Sequence, residues 1–306
     1  MDYYAIAYYL FTLISDPDAE VKAHKAFFEG RDVSGRLYIS EEGINGQMSG
    51  ALPDAEAYMQ WLKSKYPQVK FKLHAIKENI FPRMTVKRRK QLVAMDVTCD
   101  VSNTGEHVSP SQWKEMLESD ESYFLLDVRN RYEWEIGHFE GAVLPPLEKF
   151  RDFPLYAEEL QKTLPSDTKV MMYCTGGIRC ELYSALLKEK GFQTVYQLDG
   201  GVIEYGLQEG QTHWKGKLFV FDDRLAISID GEEVKPISSC RHCQCSADVY
   251  YNCANMDCNE LFVACPTCNQ HYVGCCGQAC TESARLRPFA KDGAHKPFRK
   301  KHLCQI

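Results

Sequence analysis

One cysteine lies where an apolar strand pattern gives way to a helical pattern. Its loop follows the apolar run 170–173 and reads Cys174, Thr175, Gly176, Gly177, Ile178, Arg179. Unpaired N–H groups and partial positive charge at a helix N-terminus favour a thiolate, which is the reactive form of cysteine. The two glycines allow successive amides to face one anionic atom, and Arg179 can add permanent charge. The pattern favours a reactive Cys174 in an anion-binding loop over a buried cysteine beside a glycine turn.

The length of this loop helps to distinguish sulfur transfer from phosphate chemistry. A persulfide on Cys174 would place its negative terminal sulfur among the loop amides, where a thiolate would also be held. Cys174 and Arg179 are five positions apart, one position fewer than in loops of the tyrosine-phosphatase type. From the residues alone, sulfur transfer is therefore favoured over phosphate chemistry.

A second kind of cysteine chemistry is concentrated at the other end of the chain. Eleven of the 14 cysteines lie from residue 240 onward, and in a reducing compartment such a cluster is typical of zinc sites. Pairs with C-x-x-C spacing alternate with looser pairs, which predicts two cross-braced structural zinc sites. The expected ligands are Cys240, Cys243, Cys265 and Cys268 in one site and Cys253, Cys258, Cys276 and Cys280 in the other.

Some ligands in this scheme have substitutes nearby. Cys275 could take the place of Cys276, and Cys245, His242 or His271 could replace one of the others. Reduced cysteines filling a small core are the alternative to metal binding.

The formal charge of −6 is unevenly distributed. Residues 101–215 carry 11 basic and 19 acidic side chains, whereas residues 1–100 carry 14 and 13. A nucleic-acid partner would therefore be held by local patches near the two ends of the chain. The candidate patches are Lys87, Arg88, Arg89 and Lys90, preceded by Arg83, and a tail with Arg285, Arg287, Lys291, His295, Lys296, Arg299, Lys300 and Lys301. Solvated charge is the alternative for both.

Three consecutive parts must position these residues. Residues 1–93 read βαββαβ, which predicts a ferredoxin-like α+β fold of the kind also used by acylphosphatase-like modules. Their expected strands are 4–13, 35–40, 44–49 and 69–76, with a turn at 40–46. A linker at 94–112 leads to the second part.

Residues 113–215 alternate strands with helices, which predicts an α/β domain with a parallel sheet and a ligand site at the carboxyl ends of its strands. The expected strands are 123–128, 142–144, 169–173 and 195–198, and the expected helices are 155–164 and 180–190. Cys174, Asp127 and Arg129 all lie at such strand ends. Residues 216–237 predict a connecting hairpin that turns at Asp230-Gly231, and residues 238–306 predict the zinc module with its basic tail.

The chain lacks the usual signals for membranes and nucleotides. No apolar run approaches the roughly 20 residues that span a bilayer, and the first residues lack the basic region of a signal peptide. Neither a Gly-x-Gly-x-x-Gly pattern nor a Walker loop is present. We therefore expect a soluble cytoplasmic protein without a membrane partner or a nucleotide cofactor.

The middle part resembles a rhodanese domain. The motifs that carry this resemblance are Asp127-Val128-Arg129, residues 133–142, the cysteine loop, and Leu198-Asp199-Gly200-Gly201. The whole chain resembles the rhodanese-like tRNA uridine hydroxylases, through residues 41–46, 84–90 and 174–181 and the cysteine-rich third part. The resemblance implies oxygen-dependent conversion of the wobble uridine of tRNA to 5-hydroxyuridine, with molecular oxygen as co-substrate and the anticodon arm as the bound partner.

The resemblance also implies roles for individual residues. Cys174 would be catalytic, with Thr175, Gly176, Gly177, Ile178 and Arg179 as its anion-holding loop. Cys180 matches the family's second cysteine and could have a redox role or simply pack. Asp127 and Arg129 would stabilise the loop rather than react.

The mechanism and two rival functions stay open at this point. Cys174 could add to C6 of uracil, which would make C5 nucleophilic towards an oxidant, or it could itself be oxidised and then transfer oxygen. The pair His138 and Glu140 is better interpreted as structural than as part of an iron site. The rival functions are a sulfurtransferase that passes persulfide sulfur from Cys174 and a tRNA-binding adaptor with a scaffold rhodanese domain.

Overall fold

The computed structural model describes residues 2–289. The first part forms an α/β sandwich whose elements are β1 (Tyr3–Phe11), α1 (Pro17–Phe28), β2 (Val33–Ser40), β3 (Gly43–Ala51), α2 (Leu52–Lys65), β4 (Lys72–Ile76) and β5 (Met84–Arg88). The sheet order β4-β1-β3-β2 is that of the predicted ferredoxin-like fold. Asp16 begins α1, because its carboxylate accepts a hydrogen bond from the Ala19 amide at 2.9 Å.

Two details of this part differ from the prediction. A fifth strand, β5, pairs with β2 in parallel, so the basic run begins inside a strand rather than in a loop. The turn between β2 and β3 covers only Glu41 and Glu42, because Gly43 and Asn45 already pair with β2. The added strand widens the sheet beside β2, and the shorter turn lengthens the pairing of β2 with β3.

The two faces of this sheet have different characters. Alternate residues such as Ile6, Leu37, Ile44 and Met48 are buried against α1 and α2 in one apolar cluster. The intervening residues of the same strands turn away from the helices. That second face, which is more polar, meets the middle part of the chain.

The middle part is the predicted α/β domain. Its elements are β6 (Glu106–Val108), α3 (Pro110–Glu118), β7 (Phe124–Asp127), α4 (Arg131–Trp134), β8 (Gly137–Phe139), a 3-10 turn (Phe150–Asp152), α5 (Phe153–Thr163), β9 (Lys169–Tyr173), α6 (Ile178–Glu189), β10 (Thr194–Leu198) and α7 (Gly201–Glu209). The sheet order is β6-β10-β9-β7, and all its pairings are parallel. The fold class predicted from the sequence is confirmed. The strand expected at 142–144 is reduced to one bridge between Leu126 and Val143.

The last part consists of short elements: β11 (Trp214–Gly216), β12 (Leu218–Phe219), β13 (Ala226–Ile227), β14 (Tyr250–Asn252), β15 (Leu261–Val263), α8 (Pro266–His271) and α9 (Gln278–Thr281). β12 pairs with β13, so the turn predicted at Asp230-Gly231 is wrong. The chain reverses earlier because the Asp222 carboxylate accepts hydrogen bonds from the Arg224 amide at 3.0 Å and from its guanidinium. Between residues 2 and 289, every helix is too short or too polar to cross a membrane.

Candidate active site

The loop of Cys174 lies at the carboxyl end of β9, between the neighbouring strands β7 and β10 and at the start of α6. The Gly177 amide donates a hydrogen bond to the Cys174 sulfur, with an N···S distance of 3.1 Å. Gly177 has a φ of +99°, and a Cβ there would lie 2.8 Å from the Tyr9 hydroxyl. Glycine is therefore required at this position for two reasons, backbone conformation and space.

The surroundings of Cys174 favour its thiolate. Complete burial raises the pKa of the thiol, but hydrogen bonds from the Cys180 thiol and from the Arg179 and Cys180 amides, together with the Arg179 charge, outweigh burial. The pKa of Cys174 consequently lies well below its usual value of 9.0. Burial, and next the neighbouring Cys174 sulfur, raise the pKa of Cys180, which keeps that thiol protonated as the donor.

Glu133 organises the loop from behind. Its buried carboxylate accepts hydrogen bonds from the Arg179 guanidinium, one of them at 2.8 Å, and from the Thr175 hydroxyl at 3.2 Å. Glu133 also caps α4, since it accepts from the Asn130 amide at 3.1 Å. The Arg179 charge is thus shared between a carboxylate and the thiolate, whereas the sequence suggested that it faces the anion alone. Glu133 is the first residue of the rhodanese-like motif at 133–142, but the spacing of that motif does not indicate Arg179 as its partner.

Asp127 and Arg129 lie outside the cavity that contains Cys174. The Arg129 guanidinium donates to both oxygens of Asp127, at 2.8 and 2.5 Å, and also to the Gly137 carbonyl. Both side chains are fully buried, and the guanidinium lies 5.1 Å from the Trp214 ring centre. The Asp127–Arg129 pair thereby fixes the segment that follows β7. This segment leads directly into α4, which carries Glu133.

The first domain forms the wall opposite Cys174. A cavity of about 320 Å³ is lined on one side by Cys174 and its loop and on the other by side chains of β1, β2, β3 and β4. The residues from these strands that direct polar side chains towards the cavity are Tyr9, Arg36, Tyr38, Asn45, Gln47 and Lys72. None of them was a predicted site residue, because the sequence does not show which face of the first sheet meets the second domain.

Two of these residues join the domains. Lys72 donates a hydrogen bond to the Gly176 carbonyl, and its ammonium lies 5.1 Å from the Tyr9 ring centre. The Tyr9 hydroxyl donates to Glu181 in α6 at 2.8 Å. Burial lowers the pKa of Lys72, while the Cys174 thiolate and the carboxylates of Asp199, Glu204 and Glu181 oppose that effect. The loop of Cys174 is therefore held in place from the first domain.

A larger cavity adjoins the cavity that contains Cys174. It measures about 750 Å³ and shares Gln47, Lys72, Thr175 and Phe221 with the wall of the first cavity. Its remaining walls come mainly from α7 and the hairpin of β12 and β13 and are mostly apolar. The two cavities thus share part of their walls, and together we call them the interdomain cleft.

The basic run lies beside this cleft. The Arg89 guanidinium is 4.8 Å from the ring centre of Tyr38, which lines the cavity. Arg88 is engaged elsewhere, in ion pairs with Asp18 at 2.6 Å and Glu41 at 3.1 Å. Within the described part of the chain, Lys87, Arg89 and Lys90 have no ion pair with a carboxylate.

The second basic patch is only partly described. Arg285 pairs with Asp257, and Arg287 donates to the Cys253 carbonyl and the Asn259 side chain, so both hold the cysteine-rich module together. The remaining tail residues, from Lys291 onward, lie outside the described residues.

The cysteine-rich module brings eight thiols together in two groups. Each group has its four sulfur atoms within 4.8 Å of one another, and the groups are Cys240, Cys243, Cys265 and Cys268, and Cys253, Cys258, Cys276 and Cys280. Sulfur atoms bound tetrahedrally to zinc at about 2.3 Å would lie roughly 3.8 Å apart. The distances Cys243–Cys265 and Cys276–Cys280 are both 3.8 Å. The donor set and its spacing therefore fit zinc.

The possible substitutes lie outside these groups. The Cys245 sulfur is 3.3 Å from that of Cys243, at the edge of the first group. Burial raises the pKa of Cys275 to about 11, and its thiol contacts the Val273 carbonyl. The His242 ring stacks on Tyr272 with 3.9 Å between ring centres, and His271 contacts the edge of the same ring.

Comparison with known proteins covers nearly all of the chain. Family models match in three places: a UPF0176 acylphosphatase like domain at residues 3–92, a rhodanese-like domain at residues 109–207, and a rhodanase C-terminal segment at residues 215–281. Among solved structures, the rhodanese-like domain of an Anabaena sp. protein is 24% identical, with a TM-score of 0.31, over 36% of this chain and 78% of that one.

Full-length relatives are much more similar. The tRNA uridine(34) hydroxylase of Chlamydia felis is 58% identical over 310 residues, covering 100% of this chain and 95% of the relative. That of Protochlamydia amoebophila is 56% identical over 303 residues, covering 98% and 95%. The resemblance inferred from the motifs is thereby confirmed, and the chain belongs to the tRNA uridine(34) hydroxylase family.

Proposed function

We propose that this protein is an enzyme that hydroxylates uridine 34 of tRNA at C5, with molecular oxygen as co-substrate and Cys174 as its catalytic residue. Full-length relatives at 56–58% identity carry the hydroxylase name. The observation that carries the assignment to Cys174 is a buried thiolate, held by amides and a guanidinium, in the wall of a cleft between two domains. With tRNA as the proposed substrate, we expect the reaction to take place in the cytoplasm.

The thiolate supplies the nucleophile for this chemistry. Addition of the Cys174 sulfur to C6 of uracil would make C5 electron-rich, and later loss of the C5 proton would expel the sulfur again. Cys174 is suited to both steps, since a low pKa makes it thiolate at neutral pH and also a good leaving group.

The oxidation must balance in electrons as well as atoms. One oxygen atom of dioxygen enters at C5 and the other leaves as water, which consumes two electrons and two protons. After its release from C6, the Cys174 thiolate can form a disulfide with the Cys180 thiol, which supplies the two electrons and one proton, and water supplies the second proton; the Cys180 thiol is already hydrogen-bonded to the Cys174 sulfur. An external thiol would then reduce that disulfide for the next cycle.

RNA binding is proposed for the basic edge of the cleft. Lys87, Arg89 and Lys90 would contact phosphates of the anticodon arm while one base enters the cavity beside Cys174. Arg88 would contribute less, because its charge is already paired twice. The two cysteine groups would hold two structural zinc ions at a distance from the chemistry.

The decisive experiment compares nucleosides in total tRNA by mass spectrometry. Cells that lack the protein are complemented with the parent chain or with Cys174→Ser. We expect 5-hydroxyuridine and its derivatives to be restored by the parent alone, and the purified parent to incorporate ¹⁸O from ¹⁸O₂. Restoration by Cys174→Ser would remove Cys174 from the mechanism. Unchanged 5-hydroxyuridine in the deleted strain, without a second pathway, together with cyanide-dependent sulfur transfer by the pure protein, would instead establish a sulfurtransferase.

A further inference from the structure

Two carboxamides of β3 line the cavity beside Cys174 without a side-chain hydrogen bond. Asn45 and Gln47 are half-buried, and the structure of residues 2–289 gives neither amide a hydrogen-bond partner. Polar groups that line a concave site and are free of protein partners are available to orient a ligand by hydrogen bonds. Asn45 and Gln47 are therefore candidates for binding a ligand in this cavity.

The strand pattern fixes their direction. Ile44 and Met48 point into the core of the first domain, and a Cβ at Gly46 would meet the Tyr8 ring on that same side. Asn45 and Gln47 alternate with these residues and so share the opposite face, towards the cysteine loop. Ala7 lies beside Gln47 in the register, and its small side chain leaves the amide accessible.

The neighbours of the two amides suit a nucleotide. Tyr38 is opposite Asn45 and Arg36 is opposite Gln47 in the pairing of β2 with β3. Arg36 lines the cavity, and within the described residues its guanidinium contacts the Phe81 ring but makes no ion pair with a carboxylate. Most other arginines in the described chain are paired with carboxylates, for example Arg179 with Glu133. Aromatic surface and unpaired positive charge thus flank the amides, as a base with its phosphate requires.

We propose that Asn45 and Gln47 bind the imide edge of the target uracil and so orient its C5–C6 bond towards Cys174. This inference rests on the proposed function and names the residues that would hold the substrate. The edge of uracil presents two carbonyl oxygens, O2 and O4, on either side of one N3–H donor. A carboxamide carries both an NH₂ donor and a carbonyl acceptor, so two of them can satisfy all three positions of the base.

The test uses variants that keep size and remove hydrogen bonding. The full-length protein is compared with Asn45→Leu and Gln47→Met, alone and combined, on an anticodon stem-loop RNA with uridine 34. The same RNA is then prepared with N3-methyluridine 34, which lacks the donor. A bidentate amide contact discriminates by about 1–3 kcal/mol, roughly 5- to 150-fold, so kcat/KM of each variant should fall by about that factor.

Discrimination between the two RNAs is the sharper readout. The parent should prefer uridine over N3-methyluridine by about 10-fold or more in kcat/KM and in Kd. The combined variant should treat both RNAs alike, as weakly as the parent treats the methylated one. Asn103→Leu, in an exposed turn, is the matched control and should behave like the parent.

Two further measurements separate this inference from the proposed function. The alkylation rate of Cys174 with iodoacetamide should be the same in parent and variants, which shows that the loop is intact. If the parent hydroxylates the RNA and the variants keep its preference for uridine, the inference is wrong while the proposed function stands. If the parent hydroxylates neither RNA, the proposed function fails, and equal Kd values of the parent for both RNAs would overturn the inference as well.

Discussion

The chain uses cysteine in two environments that differ in what surrounds the sulfur. At Cys174 one thiolate is held by amides, a neighbouring thiol and a guanidinium, all of which leave it free to react. In the last part of the chain, two groups of four sulfur atoms have distances that suit a tetrahedrally coordinated metal ion. The difference is that hydrogen bonds lower a pKa and leave a lone pair available, whereas a metal occupies it.

The two regions are nonetheless connected. Tyr250 of the cysteine-rich module donates a hydrogen bond to the Tyr132 carbonyl in α4, and Ile136 packs in the core of that module. Glu133 follows Tyr132 in α4, and its carboxylate accepts hydrogen bonds from Arg179 and Thr175. A structural metal would therefore support the helix that positions the loop of Cys174.

The largest expected effect comes from removing one proposed zinc ligand. Cys265→Ala should lower the zinc content from two ions to one per chain and unfold the region around the first group, since a structural zinc contributes about 10–16 kcal/mol in isolated fingers. Elemental analysis and hydrogen exchange of residues 238–275 would measure both changes. Because α4 would lose support, hydroxylation should also fall.

Two substitutions sharpen this contrast. Cys275→Ala, outside both groups, should keep two zinc ions, and Cys174→Ala should keep both ions and the melting temperature while losing activity. Full zinc content in Cys265→Ala would show that the first group binds no metal or recruits Cys245 as a substitute.

A smaller effect is expected from the carboxylate behind the loop. Glu133→Gln leaves the buried Arg179 guanidinium with the Cys174 thiolate as its remaining counter-charge, and breaking such a buried pair costs up to about 3–5 kcal/mol in unfolding free energy. Urea denaturation would measure this loss. Glu135→Gln removes an exposed partner of Arg131 at the end of the same helix and should cost at most about 1 kcal/mol. Equal costs would mean that the Glu133–Arg179 pair has no special role.

The reactivity of Cys174 tests the other side of the comparison. Cys180→Ala removes a hydrogen-bond donor to the thiolate, so the pKa of Cys174 should rise. Below that pKa, the thiolate fraction and the iodoacetamide rate fall about tenfold for each unit of increase. The pH profile of alkylation should therefore shift to higher pH, and Cys180→Ser, which keeps a donor, should restore it. A profile that stays in place would show that the amides and Arg179 suffice.

The sequence was most informative where chemistry depends on local spacing. The loop from Cys174 to Arg179 and each close cysteine pair are contained in a few consecutive residues, and the alternation of the pairs along the chain predicted how they combine in two groups. The residues that reach the site across the domain boundary, such as Lys72 and Asn45, could not. Periodicity shows that a strand has two faces, but it does not show which other domain covers the polar one.

The smallest expected effect concerns RNA affinity. It depends on whether a basic side chain already has a carboxylate partner in the protein. Lys87 and Lys90 have no carboxylate partner in the described structure, whereas Arg88 has two. Lys87→Gln and Lys90→Gln should each weaken tRNA binding and reduce the slope of log K against log salt by about 0.7–0.9, the contribution of one phosphate contact. Arg88→Gln is the matched control and should change the slope less.

Titration of tRNA binding across salt concentrations, by fluorescence anisotropy, would measure all three slopes. If Arg88→Gln lowers the slope as much as the lysine variants do, its ion pairs with Asp18 and Glu41 must open when RNA binds. If none of the three changes the slope, the phosphates follow another path. The unpaired Arg36 inside the cleft would then be the next residue to test, because its charge lies beside the cavity that contains Cys174.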